Sequence, residues 1–315
     1  MTLPDLAALE SAAELVYRVM PPTPQIRWPL LGARAGAEVW VKHENHTPTG
    51  AFKVRGGIVY MEQLRRREPG VSGVTTATRG NHGQSVAFAA TRAGLRAVIV
   101  VPHGNSPEKN AAMRAFGAEL VEHGADFQEA YEYLATLAEA ERLHLVRSFD
   151  PALVAGVGTY ALELFRAVPS LETVYVPIGM GSGICGTIAA RNALGLKTEI
   201  VGVVASGAPA YALSFNARRA VTAAADTMAD GLACRVPDPA ALEIMLEGAS
   251  RVITVDDAEI QAAMRHLFAD THSVAEGAGA AALAALLKER TGRRAAVILS
   301  GGNVDTSVFA RVLSV

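Results

Sequence analysis

The amino-acid sequence predicts an α/β fold in which parallel β-sheets are flanked by helices on both faces. Short apolar runs rich in β-branched residues alternate along the chain with longer segments whose apolar residues recur at helical spacing. The composition agrees, because 50% hydrophobic and 19% charged residues are typical of a compact folded protein. The 315 residues exceed one typical domain, so we expect one large domain or two packed domains.

Eight runs have the length and composition of strands, and they are residues 38–42, 74–77, 97–101, 119–122, 173–177, 199–204, 251–255 and 295–299. Six segments have helical periodicity, and they are residues 85–92, 107–116, 128–142, 153–165, 258–268 and 279–290. In parallel sheets of this kind, ligands bind beyond the carboxyl ends of the strands. Functional residues are therefore expected in the loops that follow strands.

Residues 74–146 form a compact block of short strands with interleaved helices, which predicts a smaller lobe inserted into a larger one. We place the small domain at residues 66–149 and the large domain at residues 1–65 and 150–315. We also expect no C-terminal regulatory domain, because the chain stops just beyond the last predicted strand.

The charge and cysteine content favour a small-molecule partner. A net charge of −2 and a pI of about 6.5 provide no basic surface for nucleic acid or anionic lipid. No apolar run approaches the ~20 residues that would span a bilayer, and the N-terminus lacks the positive charge of a signal peptide. The two cysteines, Cys185 and Cys234, fit a reducing compartment. We expect a cytoplasmic protein that binds neither nucleic acid nor membrane.

The loop TRGNHGQ, residues 78–84, follows a predicted strand and precedes a helix. Gly80 and Gly83 would expose backbone amides there, and the helix N-terminus adds about +0.5 charge. Such a turn suits a carboxylate. The alternative is a glycine-bearing connection with Asn81 as a helix cap.

The loop IGMGSGICGT, residues 178–187, lets backbone amides converge on an anion, because glycines allow close approach. It contains GSGICG, a match to the dinucleotide pattern GxGxxG. A dinucleotide site needs an acidic residue at the end of the next strand, where Val204, Ala205 and Ser206 stand. A single phosphate is therefore favoured over NAD, and a purely structural turn stays open.

The chain has only five lysines, and Lys53 stands among small residues and Phe52. Burial of an amine there would lower its pKa and make it a better nucleophile toward an aldehyde. Ser300 ends another predicted strand, where its hydroxyl could face a ring nitrogen; an ordinary turn capped by Asp305 is the alternative. A phosphate cradle, a carboxylate loop, a lysine and this hydroxyl together describe a site for pyridoxal 5′-phosphate (PLP) with an amino acid.

The motifs TGAFKVRGG, TRGNHGQ, PIGMGSGICG and LSGGNVD occur in the order and approximate spacing of the tryptophan-synthase-β type (fold type II) of PLP enzymes. The sequence most resembles the serine/threonine dehydratases (threonine ammonia-lyases) and the related serine racemases. The resemblance runs from about residue 24 to 304 and implies a two-domain fold, commonly assembled as a homodimer or homotetramer. It implies a lyase that releases ammonia and a 2-keto acid from L-threonine or L-serine by α,β-elimination.

The resemblance also implies roles for individual residues. Lys53 would be the catalytic lysine that holds PLP as a Schiff base and removes the Cα proton. The residues implied to bind the cofactor are Phe52, Lys53, Asn81, Gly179, Met180, Gly181, Ser182, Gly183 and Ser300, with Asn81 bonded to the ring hydroxyl. The residues implied to bind the substrate are Thr78, Arg79, Gly80, Asn81 and His82. Glu276 falls where the family often carries an acid near the cofactor.

Three departures from the family pattern modify these expectations. Arg79 replaces the serine that racemases use as an acid, which disfavours racemisation; if its side chain points inward, a β-hydroxyaspartate-like substrate is favoured. Met180 and Ser182 interrupt a loop that is usually four glycines. Val204 and Ala210 stand where metal-dependent relatives carry acids, so we expect no metal at that point.

Other functions stay open at this stage. Another 3-hydroxy amino acid, such as β-hydroxyaspartate or phenylserine, could be the substrate. A β-replacement synthase of the same fold is disfavoured, because those relatives carry a TSGNT-like loop. A non-catalytic amino-acid sensor is disfavoured because Lys53 is retained.

Overall fold

Two β-sheets organise the chain, which a computed structural model describes over residues 1–125 and 127–314. Asp126 and Val315, which fall in the predicted small and large domains, lie outside the described residues. The strands in chain order are β1 (Gln25–Arg27), β2 (Val39–His43), β3 (Gly73–Ala77), β4 (Arg96–Val101), β5 (Ala118–Glu122), β6 (His144–Leu145), β7 (Thr173–Pro177), β8 (Glu199–Ala205), β9 (Arg251–Val255) and β10 (Ala295–Leu299).

The helices in chain order are α1 (Leu6–Tyr17), α2 (Pro29–Ala35), α3 (Lys53–Arg67), α4 (Asn81–Arg92), α5 (Pro107–Ala115), α6 (Phe127–Glu141), α7 (Pro151–Ala167), α8 (Ser182–Ala193), α9 (Ala210–Ala217), α10 (Pro239–Gly248), α11 (Asp257–Thr271), α12 (Gly277–Glu289) and α13 (Thr306–Leu313). Short 3-10 turns lie at Glu44–His46 and Asp230–Leu232.

The larger sheet has the strand order β1-β2-β10-β7-β8-β9, and the smaller sheet has the order β5-β4-β3-β6. The neighbouring pairs are parallel except β1 with β2. The predicted α/β class with parallel sheets is confirmed, and the eight predicted strands are present to within one residue at either end. The structure adds β1, an antiparallel edge strand, and β6. Both are too short to show a hydrophobic period.

All six predicted helical segments are present, and they differ from the prediction mainly in where the helices begin; the structure adds further helices, among them α1, α2, α9, α10 and α13. The predicted helix at residues 85–92 starts earlier, at Asn81, with Gly80 as its N-cap residue. Asn81 therefore lies inside the first turn and is not the cap. The sequence did not show this start, because the polar and glycine residues before Ser85 have no apolar period. Helix α7 begins at Pro151, and the Asp150 side chain accepts from the amide of Ala152.

Helix α7 is buried along almost its whole length between α3 and α8. Gly156 lies so close to α3 that a side chain at this position would collide with the carbonyl of Arg55. Two residues further on, Gly158 faces the backbone of Gly186 in α8. This close packing fixes the start of α3, where Lys53 stands, relative to the start of α8, where the glycine loop ends.

A buried ionic network joins α3 to α7 two residues beyond Lys53. The guanidinium of Arg55, which has no exposed surface, donates to Glu44 Oε2 at 2.7 Å and to Glu163 Oε1 at 2.7 Å. Lys42 Nζ lies 2.5 Å from Glu163 Oε2. Two cations therefore meet two carboxylates, so each charge in this cluster has a partner of opposite sign.

Replacement of Arg55 by Met tests the contribution of this network. Glu44 and Glu163 would lose their shared partner, and the free energy of unfolding should fall by about 3–5 kcal/mol, the usual cost of breaking a buried ion pair. Urea denaturation measures this. Arg66→Met on the same helix removes an exposed pair with Glu62 and should change the value by less than about 0.5 kcal/mol. Equal effects of the two substitutions would contradict the assignment.

Candidate active site

One cavity beyond the carboxyl ends of β7 and β10 brings together residues from four separate motifs. It is lined by all nine residues expected to bind the cofactor, namely Phe52, Lys53, Asn81, Gly179, Met180, Gly181, Ser182, Gly183 and Ser300. Thr78, Arg79, Gly80 and His82 do not line this cavity but lie on the loop and first helical turn on either side of Asn81. The binding roles of these residues stay predictions, but the structure shows that one site could contain them.

Lys53 is the first residue of α3, and its amine has no ion-pair or hydrogen-bonding partner among the described residues. Lys53 Nζ lies 4.8 Å from the centroid of the Phe52 ring. Burial lowers the pKa of Lys53 from 10.5 to about 8, and the charge of Glu276 only partly opposes this. About a tenth of this amine is therefore neutral and nucleophilic at pH 7, and the neutral fraction reaches about half at pH 8.

Ser300 reaches the same cavity because the lysine loop is joined to the end of β10. The amide of Phe52 donates to the carbonyl of Ser300 at 3.0 Å, and Ala51 forms a bridge with Gly301. Ser300 is 4% exposed, and its hydroxyl makes no hydrogen bond to another described residue. A buried free hydroxyl in the same cavity as an unpartnered amine indicates space for a ligand.

The glycine loop after β7 forms a concave backbone surface at the start of α8. Gly181 has a φ of 101°, a conformation that favours glycine. A side chain at Gly179 would collide with the carbonyl of Gly231. The first amides of α8 have no partner within the helix, and together with the helix dipole they suit an anion. Met180 and Ser182 do not disturb this arrangement, because the backbone provides the donors.

The loop between β3 and α4 differs in detail from its predicted geometry. The amides of Gly80 and Gly83 both donate to the hydroxyl of Thr78, at 3.0 and 3.3 Å. The expectation that these two amides are exposed is therefore wrong, because the side chain of the preceding threonine folds back onto them. Binding of a carboxylate by the rest of this loop stays a prediction.

His82 is buried and uncharged. Burial, with a smaller contribution from the nearby charge of Lys53, lowers its pKa from 6.5 to about 3. Its Nε2 atom is buried without a hydrogen-bond partner among the described residues. A neutral imidazole with one free nitrogen can exchange a hydrogen bond with a ligand without adding charge.

Glu276 also lines the cavity, at the residue before α12. Its Oε1 accepts from Asn81 Nδ2 at 2.6 Å. Burial raises the pKa of Glu276, although the charges of Lys109 and Lys53 and the bond from Asn81 oppose this. Further lining residues, which were not predicted because they carry no chemical signal in the sequence, are Pro177, Gly231, Leu232 and Ala278.

Two cations and one acid stand beside the loop from β3 to α4. Lys109 Nζ donates to Asp230 Oδ2 at 2.9 Å, and Arg79 Nη1 lies 3.9 Å from Asp230 Oδ1. The side chain of Arg79 is 45% exposed, so it does not point into the buried cavity. We call Arg79, Lys109 and Asp230 the charged rim. The contribution of Lys109 could not be read from the sequence, because Asp230 is distant along the chain.

The lining of the cavity itself fits PLP. The backbone at residues 179–183 would hold the phosphate, the free amine of Lys53 would bind the aldehyde, and the free hydroxyl of Ser300 would face the pyridine nitrogen. Within residues 1–125 and 127–314 no three His, Cys, Asp or Glu side chains are grouped to hold a metal ion. Nor does any helix in that part of the chain have the length and apolar character to cross a membrane.

Replacement of Lys53 by Met tests the desolvation of this amine in the cofactor-free protein. Since the native pKa of about 8 lies below the unfolded value of 10.5, the native state binds fewer protons between these values, and wild-type stability rises with pH there. Lys53→Met should therefore be more stable than wild type at pH 7, by up to roughly 3 kcal/mol, and the gain should shrink toward pH 10.5. Urea denaturation across this range measures it. The exposed Lys197→Met is the control, and a gain independent of pH would contradict the burial of the amine.

Comparison with known proteins agrees with this geometry. The chain is 33% identical to the L-threonine ammonia-lyase of Thermotoga maritima over 90% of this chain and 72% of the relative. The solved structure of maize serine racemase superposes with a TM-score of 0.92 at 27% identity, covering 99% of this chain and 98% of that one. The processed form of threonine deaminase isoform 2 from Solanum lycopersicum superposes with a TM-score of 0.90 at 30% identity, covering 99% and 94%. A family model described as pyridoxal-phosphate dependent enzyme matches residues 16–301. The chain belongs to this family of PLP-dependent enzymes.

Proposed function

We propose that this protein is an ammonia-lyase that converts L-threonine or L-serine to a 2-keto acid and ammonia by α,β-elimination. The observation that carries the proposal is the desolvated amine of Lys53, which has no ion-pair or hydrogen-bond partner among the described residues and shares one cavity with the free hydroxyl of Ser300 and the glycine-lined start of α8. The relatives named L-threonine ammonia-lyase in Thermotoga maritima and Geobacter sulfurreducens, at 33% and 35% identity, support it.

Lys53 acts as the base in this proposal. When bound, PLP supplies an electron sink that stabilises negative charge at the substrate Cα. Because burial holds the pKa of Lys53 at about 8, its amine can be neutral when the substrate arrives and can accept the Cα proton. The β-hydroxyl then takes up a proton and leaves as water, while the electron pair of the broken Cα–H bond forms a Cα–Cβ double bond. Hydrolysis of this unsaturated amine gives the keto acid and ammonia.

Ser300 favours elimination over slower side reactions. A carboxylate at this position would hold the pyridine nitrogen protonated and deepen the electron sink, whereas a serine hydroxyl carries no charge. Negative charge at Cα would then be short-lived, because its electron pair forms the Cα–Cβ double bond as the protonated β-hydroxyl leaves as water. Neutral His82 also adds no positive charge beside Lys53.

The charged rim favours a substrate with an uncharged side chain. Asp230 already pairs with Lys109 and lies close to Arg79, so neither cation is free for the distal carboxylate of β-hydroxyaspartate. The same rim makes β-hydroxyaspartate the second candidate substrate, because displacement of Asp230 would release both cations.

The proposal also includes a domain boundary, a cellular location and an oligomeric state. We place the small lobe at residues 66–149, a range that contains all four strands of the smaller sheet. Two buried free cysteines, Cys185 and Cys234, support a cytoplasmic location. We also propose a homodimer or homotetramer, as is common in the family that the sequence resembles.

A substrate panel with Lys53→Ala tests the activity. Wild-type protein loaded with PLP should release keto acid and ammonia from L-threonine and L-serine, and phenylserine and both forms of β-hydroxyaspartate should be poorer substrates. Lys53→Ala should lower kcat by more than about 10³-fold, since it removes both the base and the attachment point. Lys197→Ala is the control at an exposed site. Full turnover by Lys53→Ala would show that Lys53 has been assigned the wrong role.

Replacement of Asp230 by Asn tests the charged rim. Release of Arg79 and Lys109 should raise kcat/KM for β-hydroxyaspartate relative to L-threonine by about tenfold, equivalent to about 1.4 kcal/mol. Steady-state kinetics on both substrates measure the ratio. Asp226→Asn, which removes the same charge at an exposed acid earlier in the chain, is the control. An unchanged ratio in Asp230→Asn would remove the rim from substrate selection.

A further inference from the structure

Asn303 follows the two glycines after Ser300 and makes hydrogen bonds to three separate residues of the site. Its Nδ2 donates to the carbonyl of Thr49 at 2.8 Å and to Asn81 Oδ1 at 2.8 Å, and lies 3.5 Å from Gln84 Oε1. Thr49 belongs to the lysine loop, whereas Asn81 and Gln84 belong to α4. Asn303 therefore connects the loop that carries Lys53 to the helix that carries Asn81.

The direction of these hydrogen bonds determines how the amide of Asn81 is oriented. A backbone carbonyl can only accept, so the nitrogen of Asn303 must face Thr49. The same nitrogen faces Asn81, which must present its oxygen there. The nitrogen of Asn81 then points to Glu276, a buried acceptor 2.6 Å away. Because the carbonyl of Thr49 can only accept, it determines which atom donates and which accepts in the hydrogen bonds from Asn303 to Asn81 and from Asn81 to Glu276.

Glycine at position 50 leaves the room that Asn303 needs. A Cβ atom at Gly50 would lie 2.5 Å from Asn303 Oδ1. Gly50 has a φ of 67°, and the amide of Gly302 donates to its carbonyl at 2.9 Å. The turn that carries Asn303 is therefore held against the lysine loop by backbone contacts, and the side chain has little freedom to rotate.

We propose that Asn303 is a positioning residue that sets the orientation of the Asn81 amide and so determines which atoms the cofactor ring meets. The inference rests on the proposed function, in which Asn81 bonds to the ring hydroxyl. When its oxygen accepts from Asn303, Asn81 donates one Nδ2 hydrogen to Glu276, and its other Nδ2 hydrogen is available to a ligand in the cavity that it lines. In the reversed orientation, Asn81 would present its oxygen to Glu276, and two acceptors would face each other whenever Glu276 is ionised.

Isosteric replacement of Asn303 separates orientation from packing. Asn303→Asp keeps the shape of the side chain but removes both donors, so Asn81 is driven toward the reversed orientation. Asn303→Ala removes the donors and leaves the amide of Asn81 free to adopt either orientation. If Asn303 only filled space, Ala would be more harmful than Asp. If it orients Asn81, Asp should be more harmful than Ala.

The experiment measures the dissociation constant of PLP, the visible absorption spectrum of the loaded protein and kcat/KM for L-threonine. Asn303→Ala should weaken PLP binding and lower kcat/KM by about tenfold each, and Asn303→Asp should do more and change the visible band. Asn45→Asp is the matched control: the Cβ of Asn45 lies 3.4 Å from the Cβ position at Gly302 on the same turn, and its amide donates to the carbonyl of Val274. It should leave all three quantities near wild type.

The outcomes distinguish this inference from the proposed function. A normal spectrum and PLP affinity in Asn303→Asp, or greater harm from Ala than from Asp, would overturn the positioning role while wild-type activity stands. A wild-type protein that gains no visible band with PLP would overturn the proposed function and this inference with it. Thermal unfolding of the cofactor-free variants checks folding. If Asn303→Asp does not fold, Asn303→Ala must still lose PLP affinity that Asn45→Ala retains.

Discussion

A desolvated amine with no ion-pair or hydrogen-bond partner among the described residues, that of Lys53, is the constraint on which the rest of this structure depends. The folded protein would be more stable if the charged amine of Lys53 were solvated or ion-paired. The loss of solvent lowers the pKa of this amine to about 8, because the charge of Glu276 only partly offsets it. The surrounding chain must therefore hold Lys53 in place by other means. It does so through the nearby residue Arg55, whose guanidinium binds two buried carboxylates and joins α3 to α7.

The close packing of α3, α7 and α8 places Lys53 and the glycine loop at the same cavity. Gly156 and Gly158 allow α7 to contact the backbones of both α3 and α8, so the first residue of α3 and the first turn of α8 face the same cavity. The end of β10 reaches that cavity because the lysine loop is hydrogen-bonded to Ser300. Amine, anion cradle and hydroxyl are therefore held by main-chain contacts and not by the side chains that would do the chemistry.

The sequence predicted the features that have a local pattern. Buried parallel strands are continuous apolar runs, so β7, β9 and β10 were placed at their observed bounds, whereas β1 and β6, with three and two residues, have no period to detect. Nine residues of the cavity lining were indicated by glycines, a lysine and a serine in loops near strands together with the family resemblance. Contacts between distant segments could not be read in this way. Three contacts depend on the folded geometry in this way. They are the hydrogen bonds from the amides of its own loop to the Thr78 hydroxyl, the pairing of Asp230 with Lys109, and the hydrogen bond from Asn303 to Asn81.

The position of the charged rim has a consequence for how enzymes of this fold can diverge. Arg79 and Asp230 are about half exposed, at 45% and 44%, and neither belongs to the buried network around Arg55 or to the backbone cradle. Surface substitutions of this kind rarely alter stability by much. If the rim selects the substrate as proposed, new substrate preferences could arise through substitutions at these solvent-facing positions, while Lys53 and the packing around it stay unchanged.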